Sequence, residues 1–169
     1  MTRPNSPSLE SLTAGAERVA EMTASTQWFA SHDAALQLSE LVIARQLCTA
    51  TCAWQLRLIL HELLRNAIEH GNLEVSSHQK HTSLDSLQHY YHQVEEALNS
   101  PLTQRHITLS LWYKNKTFIG QIQDDGLGFC EQHSQGLGLD LLKKITSSLT
   151  YLNNGSLAIF TLEDKHAQP

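Results

Sequence analysis

Residues 106–126 read HITLSLWYKNKTFIGQIQDDG, and this stretch decides the fold. Ile107, Leu109, Leu111 and Tyr113 alternate with Thr108, Ser110 and Trp112, the period-two pattern of a strand with one buried face. Lys114-Asn115-Lys116 supplies a hairpin turn. Phe118, Gly120 and Ile122 then alternate again up to Asp124. Two more short strands are expected at Leu149–Leu152 and Ser156–Leu162, joined by the turn signal Asn153-Asn154-Gly155. Between the two strand pairs, Leu139, Leu142 and Ile145 mark a helix from about Gly138 to Ser147.

Upstream, the apolar period becomes helical. Ala35, Leu36, Leu38, Leu41, Val42 and Ala44 predict one helix. Leu56, Ile59, Leu60, Leu63, Leu64, Ala67 and Ile68 predict a core helix from about Cys52 to His70, capped by Thr51 and stopped by Gly71. After a polar stretch at 72–83, Leu84, Leu87, Tyr91, Val94, Glu95 and Leu98 predict an amphipathic helix that ends at Asn99-Ser100-Pro101; it is expected to cover the sheet, with a partner surface carrying Tyr90 and Tyr91 as the alternative. Gln27-Trp28-Phe29-Ala30 reads as a short first strand. Residues 1–25, with Pro4, Pro7 and many small residues, read as a weakly ordered arm holding at most a short helix. The expected domain is 26–164, with a helical insert at about 73–104 and a tail at 165–169. Consecutive antiparallel strands with helices packed on one face make an α+β, two-layer α/β sandwich with a mixed, mainly antiparallel sheet. No βαβ alternation is present.

The chain has 169 residues, 41% hydrophobic and 17% charged, which suits one folded domain. Its net charge of −5, without a Lys/Arg cluster, argues against nucleic acid as a partner. No apolar run reaches a membrane span, and no signal core follows the first residues, so a cytoplasmic protein is expected. The three cysteines, Cys48, Cys52 and Cys130, read as buried apolar filler. Of the ten histidines, His78 and His81, and likewise His89 and His92, stand three apart, a spacing that suits two metal ligands or two exposed polar positions.

Three segments carry candidate chemistry. Glu62 and Asn66 stand at i and i+4 on the core helix, where a carboxylate and an amide oxygen on one face suit a hydrated Mg²⁺. Alone, the pair also fits a solvated helix face. Glu69, seven residues after Glu62, either shares that face or is a solvated helix-end carboxylate. Asp124-Asp125-Gly126-Leu127-Gly128 ends a strand. There an acid can accept a hydrogen bond from an exocyclic amine while glycines let backbone approach a flat base; a plain Asp-Gly turn fits as well. Gln135-Gly136-Leu137-Gly138 opens a helix, whose first N–H groups suit phosphate. No Lys-Ser/Thr follows it, so a P-loop is not supported.

Taken in this order and on these elements, the three segments resemble the N box and the two glycine boxes of the GHKL ATPases. The run from Glu62 to Asn72, ELLRNAIEHGN, is most similar to the anti-sigma-factor serine-kinase branch, including the ATP-binding modules found beside SpoIIE-type phosphatases and response regulators. The resemblance spans residues 25–162 and implies a Bergerat-type ATP-binding fold. It implies that Asn66 holds Mg²⁺ and the phosphates of ATP, that Asp124 pairs with the adenine amino group, and that Gly126 and Gly128 shape the base pocket. Gly136 and Gly138 would shape the phosphate end, and Glu62 would be the catalytic base. It further implies a serine/threonine kinase regulator acting on a STAS-type antagonist, with a sigma factor as other partner; self-association is left open. One departure is plain: seven residues, Phe129 to Gln135, none of them Lys or Arg, separate Gly128 from Gly136, where the family carries a longer lid. That departure motivates an alternative, a non-catalytic interaction module that binds nucleotide weakly. A detached histidine-kinase catalytic domain is a third reading, opposed by the lack of a phospho-acceptor helix hairpin.

Overall fold

The computed structural model describes residues 8–76, 84–128 and 137–165. In chain order its elements are α1 (Leu9–Thr13), β1 (Glu17–Ser25), α2 (Thr26–Ser31), α3 (Ala34–Ala44), α4 (Ala50–Asn66) and a π-helical turn (Ala67–Asn72). Then come α5 (Leu84–Leu98), a 3₁₀ turn (Pro101–Gln104), β2 (His106–Lys114), β3 (Thr117–Asp124), α6 (Leu137–Ile145), β4 (Ser148–Leu152) and β5 (Leu157–Glu163). The sheet has five strands in the order β1-β2-β3-β5-β4. Every ladder among them is antiparallel, so the expected mixed character is absent from the described sheet.

The alternation written into 106–124 sets which face is covered. Ile107, Leu109 and Leu111 of β2 stand opposite Asp124, Ile122 and Gly120 of β3. Together with Phe118, Ala158, Phe160 and Leu162 they meet Phe29 of α2, Leu38 and Val42 of α3, Leu56, Ile59, Leu60 and Leu63 of α4, and Leu142 of α6 in one core. This is an α+β, two-layer α/β sandwich. The same period of two brings Asp124 onto the helix-covered face at the end of β3, where it is 6% exposed. Among the described residues, no helix is long and apolar enough to cross a membrane.

Several local expectations are corrected. Residues 17–25, read as part of an arm, form the edge strand β1, paired with β2 along its length. Its signal is weak because Ala20, Met22 and Ala24 are small or flexible and a bulge between Arg18 and Ala20 breaks the alternation. Residues 27–30, read as a strand, lie in the helix α2: the Ser25 side chain accepts the Trp28 N–H at 3.3 Å and starts it. The cap of α4 is Thr49, not Thr51, and Gly71 lies inside the π turn rather than ending a helix. Lastly, α5 does not cover the sheet. Tyr90, Val94, Ala97 and Leu98 pack with Ile68, Leu73, Val75 and Leu102 in a separate cluster, and Tyr91, expected inside, is 57% exposed. The inward positions follow i, i+4, i+7, i+8 from Tyr90, and Tyr90 is held there by its hydroxyl, which donates to Glu69.

Candidate functional site

The site forms where the C-terminal end of α4 meets the end of β3. At the junction the helix widens into the π turn Ala67–Asn72. An inserted residue of this kind re-aims the side chains that follow it and often marks a functional position. Here it turns Glu69 away from the Glu62 face and toward Tyr90, whose phenol is pushed well up by burial and by that carboxylate. The π turn also carries Gly71 and Asn72 to the end of the sheet.

Asp124, Gly71 and Gly126 pack as a unit. A Cβ on Gly71 would lie 2.5–2.6 Å from the Asp124 carboxylate, and one on Gly126 would collide with the Gly71 carbonyl. The Gly126 N–H donates to Asp124 Oδ1 at 2.9 Å, while Oδ2 takes no hydrogen bond from the described residues. Burial pushes the Asp124 carboxyl up to about 6; Asp125 adds to the rise, and the Gly126 N–H and Arg105 oppose it. Gly71→Ala is therefore expected to cost about 1–3 kcal/mol by overpacking, read as a lower urea midpoint at unchanged slope.

Asn72, completely buried, anchors this corner. Its Nδ2 donates to Thr26 Oγ1 at 2.7 Å and to the His106 carbonyl at 3.0 Å, and its Oδ1 accepts the Asp125 N–H at 2.9 Å. Arg105 donates to the Asn72 carbonyl at 2.8 Å and pairs with Glu74 at 2.6 Å. Sequence reasoning assigns Asn72 and Arg105 no role. The only signal is the polar run after the core helix, which does not say where those side chains go.

Glu62 and Asn66 lie one turn apart on α4. Glu62, 12% exposed in its side chain, pairs with Arg65 at 2.6 Å. Gly138, in the first turn of α6, sits directly on the Glu62 carboxylate, so close that a Cβ there would collide with Oε2. Arg65 Nε is buried without a hydrogen-bond partner. Asn66 is half-buried and caps nothing with its side chain. Gly128, at φ 82°, approaches the Asn154 carbonyl in the β4–β5 connection. Thus Asp124 and Gly126 are brought together, as are Glu62 and Gly138, while Gly128 faces the Asn153-Asn154-Gly155 turn. Gly136 and the segment 129–135 lie outside the described residues, as do Cys130, His78 and His81. His89 and His92 point along α5 to Gln93 and Glu96.

A cleft of about 420 Å³ opens elsewhere, on the side of α4 that carries His61, Leu64 and Ile68, against His32, Val94 and Leu98. Asp124, Gly126 and Gly138 do not line it. The corner at Asp124 is the better candidate, because there a buried acid has a spare acceptor next to walls made of bare backbone.

Neither a scan against protein-family models nor a search of curated proteins finds a match for this chain.

Proposed function

We propose that this chain is an ATP-binding regulator of the GHKL type, of the anti-sigma-factor branch, acting by partner switching. The observation that carries the reading is Asp124: a buried carboxylate at a strand end, with Oδ2 unbonded among the described residues and Gly71 and Gly126 pressed around it. An ionised carboxylate so placed would accept a hydrogen bond from the adenine amino group, and the missing Cβ atoms of Gly71 and Gly126 let the backbone pack closely around it. On this reading Gly126 and Gly128 would border the base and Gly136 and Gly138 the phosphates; Gly138 lies in the first turn of α6.

Asn66, with a side chain free of capping duty, would supply an amide oxygen to a hydrated Mg²⁺ that offsets phosphate charge. Arg65 is the nearest cation to Glu62 and Gly138, and on ATP binding it exchanges Glu62 for a terminal phosphate oxygen. Glu62, released, would receive the proton of a serine or threonine hydroxyl on a STAS-type antagonist as that oxygen bonds to the γ-phosphorus, the bond to the β–γ bridging oxygen breaks and ADP leaves. Phosphorylation then adds charge to the antagonist and shifts the regulator to its other partner, a sigma factor.

A second reading, a nucleotide-binding interaction module without phosphoryl transfer, is favoured by the Glu62–Arg65 pair and the cover of Gly138 over it. One experiment separates the two. The full chain is incubated with radiolabelled Mg-ATP and a STAS-type antagonist, alongside Glu62→Ala and Asn66→Ala. Label on the antagonist, lowered at least about 100-fold in both variants, supports the kinase. Nucleotide binding by calorimetry without transfer supports the module. Absence of binding to a folded chain removes both.

A further inference from the structure

At the other end of α4, far from Glu62, two sulfurs and a carboxylate converge. Cys48 precedes the N-cap Thr49, and Cys52 lies in the first turn of α4. Both are free thiols. Asp164 arrives from the segment after β5: its Oδ2 accepts the Thr49 N–H at 2.7 Å and its Oδ1 accepts the Thr49 hydroxyl at 2.9 Å. The ligand atoms of Cys48, Cys52 and Asp164 lie within 4.8 Å of one another. Cys52 is 1% exposed and Asp164 4%, whereas Cys48 is half-buried and faces the way out. The Tyr113 phenol lies close enough to both thiols and to Asp164 to be pushed up by their charge as well as by burial.

We propose that Cys48, Cys52 and Asp164 form a zinc site, with the fourth position taken by water on the Cys48 side. Tetrahedral zinc, with bonds of about 2.3 Å to sulfur and about 2.0 Å to oxygen, holds its ligands roughly 3.5–3.8 Å apart. The present spread of up to 4.8 Å closes to this by side-chain rotation. Two thiolates select against Mg²⁺ and Ca²⁺, and the hard carboxylate oxygen selects against Cu(I), which leaves zinc. Binding exchanges two thiol protons for one ion. Bound zinc ties the start of α4 to the end of β5, and so steadies the helix that carries Glu62 and Asn66. The site stands independently of the proposed nucleotide chemistry.

The test uses the full chain, purified without chelator, and then freed of metal under reducing conditions. One Zn²⁺ per chain is expected on titration against a chromophoric chelator, and Co²⁺ in its place is expected to give a thiolate-to-metal charge-transfer band. Cys48→Ser should weaken zinc at least about 100-fold, and Cys130→Ser should leave it unchanged. Should Cys48→Ser fold poorly, the wild-type chain still decides: zinc should protect Cys48 and Cys52, read by mass spectrometry, from alkylation. A Co²⁺ spectrum without the thiolate band, alkylation indifferent to zinc, or a reduced chain that takes up no zinc overturns the proposal.

Discussion

Asp124→Asn is expected to weaken Mg-ATP binding by about 10- to 100-fold while making the protein more stable, a pair of opposite effects from one atom exchange. The affinity loss is that of a hydrogen bond to a charged group, about 1.5–3 kcal/mol. The stability gain follows from burial. Asp124 ionises at about 6 in the folded chain, against 3.8 for an exposed aspartic acid. An acid with a raised folded pKa contributes fully below the unfolded value and loses that contribution as pH rises through the folded one. The shift of about two units corresponds to up to about 3 kcal/mol of stability lost by pH 7 and above. Asparagine carries no charge to desolvate and keeps an oxygen for the Gly126 N–H. At about pH 7.5 its thermal midpoint should exceed that of the wild type by about 5–10 °C, and the gap should close near about pH 4. Wild-type ATP affinity should itself fall as pH drops through about 6, because only the ionised carboxylate accepts fully from the adenine amine. An Asp124→Asn chain that binds ATP like the wild type would remove adenine from this corner. Equal stability at every pH would show that the carboxylate is better solvated than its 6% exposure implies.

Asn72→Ala is expected to cost about 3–4 kcal/mol of folding stability, measured by urea unfolding. The side chain makes three hydrogen bonds from full burial, joining the start of α2, the start of β2 and the exit of β3. Its removal takes the amide away from the part-buried Asp125 N–H and His106 carbonyl and leaves a gap at a fully buried position. Asn66→Ala is the control, with an expected change within about 0.5 kcal/mol, because that amide caps nothing. A loss below about 1 kcal/mol in Asn72→Ala would mean that water replaces the amide and that the corner tolerates the gap.

These two asparagines show where sequence reading succeeds and where it stops. Six positions apart in one run, Asn66 and Asn72 carry the same chemistry. Helical spacing from Glu62 singles out Asn66. Nothing local singles out Asn72, whose partners Thr26, His106 and Asp125 are all distant in the chain. Arg65 is a similar case: its pairing with Glu62 follows from i, i+3 spacing, but the Gly138 backbone above that pair comes from α6. The cysteines read as filler in the sequence because their third neighbour, Asp164, lies at the opposite end of the chain.

The sequence by itself determined what repeats within a few residues. Period two over 106–124 set the hairpin and sent Asp124 inward, and period 3.6 over 52–68 set the core helix and the common face of Glu62 and Asn66. Periodicity reports one face of one element, so it works wherever that face is strongly apolar. Only the tertiary structure decided that 17–25 is an edge strand, that Gly71 rides in a π turn against Asp124, and that Cys48 and Cys52 meet Asp164. Each of these depends on a second segment brought close by the shared core. The small residues of β1, the absent side chain of Gly71 and the polar groups of Asp164 are legible only from what stands next to them.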